Sequence, residues 1–387
     1  MYRGQDGAGY TSNAIHPPLG RRWILELQKE KKPATSFNPP VVMGNHIYFG
    51  SNDKNFYALD VESGYMKWSF KTSGPVNSIP FADKNAVYFG SNDGNVYALD
   101  REYGKKLWSF NTGREVQSLV VRYEDMMIFT SNRGATYFTD LAGKPRFSVR
   151  NPNWQNTAFQ VRDDIMYWMP AGNNLGAYNI RTRKFAWKER VPRVGAIWYS
   201  FPALDDKNIY FGSSYFVRGQ GGRLVFKARR RKDGGDVWST QDRMRPGTRM
   251  ARNAVTMMRR NWELLDYLAP AIWRDTVIYT AGDTRVRAYD TDSGKKAWHQ
   301  DFDYPISSAP VVAGDRVYFG LRGDENYLGA AGSGGRSPRL VCVSARDGRV
   351  LWQMDVKGVI LSAPVISGNR IMFGTSEYLF YVLEEIF

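Results

Sequence analysis

The densest chemistry in this sequence is cationic. Of a formal net charge of +15 over 387 residues, +10 falls between Tyr215 and Trp262, where 13 Lys or Arg residues meet only three acids, Asp233, Asp236 and Asp242. Two groups stand out, the run Lys227, Arg229, Arg230, Arg231, Lys232 and the spaced set Arg249, Arg252, Arg259, Arg260. On a helical wheel, residues Thr248 to Asn261 put Met250, Ala251, Ala254, Val255, Met257 and Met258 on one face and the four arginines on the other, which predicts a basic amphipathic helix. Such cations recognise rather than transform: they steer association with an acidic protein surface, and because an exposed pair gains only about 0 to 1 kcal/mol, several must act together. An anionic membrane surface is a second partner of the same chemistry. The bland alternatives are a Met-faced lid packed on the body of the protein and, for the run, a solvated hairpin tip.

Residues for bond-making are sparse. The histidines, His16, His46 and His299, are scattered and never paired at metal-ligand spacing, which argues against a histidine-built metal site or a conventional Ser/His/Asp triad. Cys342 is the single cysteine, which removes intrachain disulfides, four-cysteine zinc sites, iron–sulfur clusters and Cys-x-x-Cys redox chemistry. No catalytic, cofactor or metal residues are therefore assigned, and no turnover is expected. Asn52-Asp53-Lys54 and Asn92-Asp93-Gly94 read as tight turns, since calcium-loop spacing is absent. The Gly/Ser-rich stretch Gly329 to Arg336 lacks the Lys-Ser/Thr ending of a phosphate loop and reads as a hairpin extension, as does Arg322-Gly323-Asp324. Nucleic acid is not an expected partner, because no aromatic platform is interleaved with the arginines.

The elements that carry these groups come from a repeat. Ile47-Tyr48-Phe49-Gly50-Ser51-Asn52-Asp53 returns as Val87-Tyr88-Phe89-Gly90-Ser91-Asn92-Asp93, a period of 40 residues, and each copy leads to Tyr-Ala-Leu-Asp, a glycine, and a strand with Trp68 or Trp108. Degenerate copies centre on Phe129, Tyr167, Tyr210, Tyr279, Tyr318 and Phe373, giving eight, most opened by a proline such as Pro40, Pro80, Pro310 or Pro364. Trp23, Trp68, Trp108, Trp187, Trp238, Trp298 and Trp352 share one phase, with Phe147 in the remaining slot, as expected of a residue packing one sheet on the next. The last copy lacks its closing strand and the segment 21–28 has that pattern without a blade, so the N-terminus is expected to complete the final sheet. The chain thus reads as all-β: one domain over 1–387, an eight-bladed β-propeller of four-stranded blades, with a lead-in at 1–20, a basic helical insertion at 242–266 and a loop insertion at 322–339. Composition agrees, at 43% hydrophobic with 37 Gly and 18 Pro. No stretch approaches the ~18 to 20 apolar residues of a membrane-spanning helix, and the opening Met1 to Asp6 carries no apolar secretory core, so the sequence reads as soluble and untargeted.

The unit Val87 to Asp100 followed by Gly104-Lys105-Lys106-Leu107-Trp108-Ser109-Phe110 closely resembles the repeat of the PQQ-binding-like β-propellers, a resemblance that extends in pattern over nearly the whole chain. The resemblance implies two possible functions. One branch, the quinoprotein dehydrogenases, holds pyrroloquinoline quinone and calcium on the propeller axis, typically beside a ring made by two adjacent cysteines, which a single cysteine cannot form. The other, the BamB-type scaffold lipoproteins, is non-catalytic, assists insertion of outer-membrane barrels and fits the size and blade count; the basic insertion is not part of its pattern. The resemblance therefore implies a protein-protein scaffold in a multi-protein complex of the Gram-negative envelope, periplasmic or attached to the outer membrane, without a cofactor. A quinone-dependent dehydrogenase with PQQ and calcium, or a degenerate relative of one, is the alternative.

Overall fold

The computed structural model describes residues 9–27, 38–132, 134–150, 158–169, 174–190, 198–199, 202–217, 221–245, 269–323 and 337–386. Eight antiparallel sheets follow one another along the chain. Blade 1 is Val41–Met43, His46–Gly50, Asn55–Asp60 and Met66–Lys71, and blades 2 to 7 repeat this order from Phe81–Ala82 through Val350–Asp355. Blade 8 is Val365–Ser367, Arg370–Gly374 and Leu379–Glu385, with Leu19–Glu26 paired antiparallel to its last strand. The expected ring closure by the N-terminus is therefore present, two residues earlier than the segment 21–28.

Burial explains the sequence pattern. The centre of each second strand is a run of three apolar residues because both faces of a blade are covered by its neighbours; Ile47, Tyr48 and Phe49 are all wholly buried. Fourth strands alternate because they form the rim, as in Met66–Lys71 and Lys106–Asn111. First strands of neighbouring blades touch, as Val41–Met43 touches Phe81–Ala82, and so ring the axis. Their opening prolines, such as Pro80 and Pro310, precede an edge strand, where a missing N–H costs no ladder bond.

The phased tryptophans lie in the seams. Trp68 Nε1 donates to Arg101 O at 3.2 Å, Trp238 Nε1 to Thr291 O at 2.8 Å and Trp298 Nε1 to Ala345 O at 2.9 Å, each acceptor lying in the third-to-fourth-strand turn of the next blade. A glycine of that turn lies against the indole: at Gly294, with φ +66°, a Cβ would stand 2.6 Å from Trp238. These tryptophans are committed to packing.

Blade 5 is the exception in size. Asn208–Val217 and Gly221–Arg230 are 10 residues each, where the equivalent strands of blade 1 have 5 and 6. The excess extends past the common end of the second strands and is flanked by Trp198–Tyr199 on one side and Gln241 to Arg243 on the other.

Candidate contact surface

Strand direction assigns each connection to a face. Successive strands alternate, so the second-to-third-strand hairpins and the links between blades share one face, here the linker face. The first-to-second and third-to-fourth turns share the other, the turn face.

The run Lys227 to Lys232 ends strand Gly221–Arg230 and enters the turn to Asp236–Arg243, on the turn face. The insertion leaves the described chain after Arg245, beyond the opposite end of that 8-residue strand. At about 3.3 Å per residue, roughly 25 Å separates the two. A full β-strand thus lies between the run and the point where the described chain stops after Arg245. Arg249, Arg252, Arg259 and Arg260 fall outside the described residues, as does most of the Gly/Ser-rich insertion.

The run itself is not a solvated tip. Arg229 is buried, paired with Glu189 of blade 4 and with Asp236 at 3.1 Å, and it donates to Gly234 O at 3.0 Å. Arg231 is buried too; it donates to Asp163 Oδ2 at 2.6 Å, to Tyr167 Oη at 3.0 Å and to the carbonyls of Asp205 and Asp206. Both arginines tie blade 5 to blade 4, and neither is presented outward. Lys227 is half-buried within its strand, which leaves Arg230, 3.0 Å from Asp233, and Lys232 exposed. Charge density alone could not separate the two roles, since the acids of blade 4 that hold Arg229 and Arg231, Glu189 and Asp163, lie 40 and 68 residues away in sequence.

At the root of the insertion stands a cluster that charge counting missed. Arg287, fully buried, donates to both carboxylate oxygens of buried Asp283 at 2.9 and 2.7 Å and to Asp242 Oδ2 at 2.8 Å. Arg285 binds Asp301 through two bonds of 2.5 and 2.7 Å. Arg245, the last residue described ahead of Ala269, is held by the same group: its N–H donates to Asp283 Oδ2 at 3.1 Å and its carbonyl accepts from Thr284 N at 3.1 Å. Burial alone would raise the Asp242 carboxyl, but the Arg287 hydrogen bond and charge outweigh it and lower it to about 2. The signal was in the repeat. Arg287 occupies the position where blades 1 and 2 have Tyr57 and Tyr97, whose hydroxyls donate to Asp53 and Asp93, the counterparts of Asp283.

Those same aspartates explain the Asn-Asp motifs as turns. Asp53 Oδ1 accepts from Asn55 N at 2.9 Å and Asp93 Oδ1 from Asn95 N at 3.0 Å. A quinone with its calcium on the axis would need oxygen ligands there. The first strands of the eight blades contain no Asp, Glu or Asn, and among the described residues no three of His, Cys, Asp and Glu converge. The described axial residues do not fit that pair.

Comparison with known proteins agrees with this geometry. A family model described as outer membrane protein assembly factor BamB matches residues 20–140, 93–261, 264–330 and 282–385. Two curated relatives carry that name: one from Shewanella oneidensis, 29% identical over 111 residues, 28% of this chain and 27% of the relative, and one from Yersinia pestis, 28% identical over 131 residues, 31% and 30%. The matched segments thus span less than a third of either relative. Among solved structures, BamB from Moraxella catarrhalis superposes with a TM-score of 0.67 at 14% identity, covering 95% of this chain and 99% of that one. A quinohemoprotein alcohol dehydrogenase from Pseudomonas putida superposes with 0.68 at 14% identity, covering 95% and 76%. At such identity these two show the shared fold.

Proposed function

The chain belongs to the family of the outer membrane protein assembly factor BamB, and from that premise we propose that it is a non-catalytic scaffold holding proteins together in the bacterial envelope, in the service of outer-membrane protein assembly. One observation carries the reading. Where the basic insertion is rooted, buried Asp283 and Arg287 of blade 6 gather half-buried Asp242 of blade 5, whereas the described first strands around the axis carry no carboxylate. An ion cluster of this kind gains little net stability over apolar packing, so its use is to fix geometry.

The proposed contact surface is the basic insertion that follows Arg245, with Arg249, Arg252, Arg259 and Arg260 supplying the charge and an acidic protein as the partner. Of the run, Arg230 and Lys232 are the exposed cations on the turn face, while Arg229 and Arg231 tie blade 5 to blade 4. The location that goes with this function is the periplasm, in a multi-protein complex attached to the outer membrane, with no cofactor. The test is capture of envelope proteins at increasing salt by the wild type and by a variant with Arg249, Arg252, Arg259 and Arg260 all changed to Ser. The wild type recovers outer-membrane assembly components and loses them as salt rises, and the variant recovers little at any salt. Recovery of the same proteins with the same salt dependence by the folded variant overturns the surface.

A further inference from the structure

The lead-in does more than join the closing strand. Tyr10 and Thr11 pair in parallel with Val312 and Ala313 of the first strand of blade 7, on the side away from the rest of that sheet. Val312 N donates to Gly9 O at 2.9 Å and Gly314 N to Thr11 O at 3.1 Å, so the backbone makes the contact. The same two residues also lie against Ala271–Trp273, the first strand of blade 6. Because first strands run from the linker face to the turn face and the pairing is parallel, the lead-in runs down the axial side in the same direction.

It then turns outward and is locked. Ile15 is wholly buried in the core shared by blades 7 and 8, its carbonyl accepts from Tyr318 Oη at 2.8 Å, and His16 N donates to Glu385 Oε1 at 2.5 Å. Gly314, at φ +59°, would bring a Cβ within 3.1 Å of the Ala14 Cβ, which is the close approach that lets the strap pass. Only then does the chain reach the rim as Leu19–Glu26.

We propose that the axis of this propeller is occupied by its own lead-in, taken up by strand addition, and is therefore closed to pyrroloquinoline quinone and calcium. Two cations of the first strands that could otherwise meet quinone carboxylates are spent on neighbours: Arg122 lies 2.7 Å from Asp83, and Arg162 pairs with Asp206. The inference stands apart from the partner assigned to the insertion, since the strap involves only the lead-in residues 9–16 and blades 6 to 8.

Amide hydrogen exchange of the unaltered protein reads the strap directly. Val312 and Gly314 are expected to exchange at least about tenfold more slowly than after removal of residues 1–12, which keeps Ile15 and the closing strand. Equilibrium dialysis of the full chain against pyrroloquinoline quinone with calcium is expected to retain none, and a Thr11→Cys, Ala313→Cys pair is expected to close to a disulfide on mild oxidation. Fast exchange at both amides in the full chain overturns the strap, and retention of one quinone per chain overturns the exclusion. If the double-cysteine variant does not fold, the exchange measurement still decides.

Discussion

Arg183 lies over the ring of Phe147, its guanidinium carbon 4.4 Å from the ring centroid. The pair sits in the seam between blades 3 and 4, at the two positions that hold a tryptophan and a glycine in the seams of Trp68 and Trp238. A smaller ring leaves room for a side chain, and Arg183, at φ +55°, accepts the left-handed turn that Gly294 adopts elsewhere. The two replacements compensate each other.

A double-mutant cycle checks this. Arg183→Ala is expected to cost about 0.5 to 1 kcal/mol, the range of an exposed cation–π contact. Phe147→Trp alone is expected to destabilise by crowding the Arg183 side chain, and Arg183→Gly together with Phe147→Trp to recover the loss, read as urea midpoints. Gly294→Ala at an intact seam is expected to cost about 2 kcal/mol or more, because both φ and the 2.6 Å approach to Trp238 oppose a methyl group.

Removing one member of the blade 6 cluster strands a charge. Arg287→Met leaves Asp283 buried without its cation and is expected to cost about 3 to 5 kcal/mol in urea unfolding. Replacing Asp283 as well is expected to cost less than the two single losses added together. Full additivity would mean that the pair is not coupled.

Acid acts on the same cluster. The Asp242 carboxyl is lowered from 3.8 to about 2, so its contribution to stability is complete above the unfolded value and is lost as the pH falls through the folded one. The urea midpoint of the wild type is expected to drop more steeply between about pH 4 and pH 2 than that of Asp242→Asn. Parallel curves would remove Asp242 from the account.

Burial pushes the Cys342 thiol up to about 12, even though the Tyr318 hydroxyl beside it works in the other direction. Native protein at pH 8 is expected to show no reaction with an aromatic disulfide reagent over the time in which urea-unfolded protein reacts completely. A fast native reaction would place the thiol at the surface.

Ring closure gives the largest expected effect. Deleting residues 1–28 removes the fourth strand of blade 8 and breaks the contacts of Arg22 with Glu384 and of Trp23 Nε1 with Val61 O. The exposed edge is expected to aggregate, seen as a shift to large species in size-exclusion chromatography. A monomer as stable as the full chain would contradict the closure.

The repeat was readable from the sequence because it is local physics. Apolar centres of second strands, alternating fourth strands and a phased tryptophan in most blades follow from which face each strand buries, and each blade meets equivalent neighbours. The closing role of Trp23 followed too, since a fourth-strand pattern without a blade has only one place to pair. Which cations face outward did not follow. Arg229 and Arg231 look like Arg230 in sequence, and only the ring brings Glu189 and Asp163 to them. Asp283 needs Arg287 four residues on, but it is Asp242 from the previous blade that completes the cluster, and Thr11 meets Ala313 across the closed circle. Pairing of charges across seams depends on positions that exist only once all eight blades are set around one axis, and burial then decides which ion pairs persist.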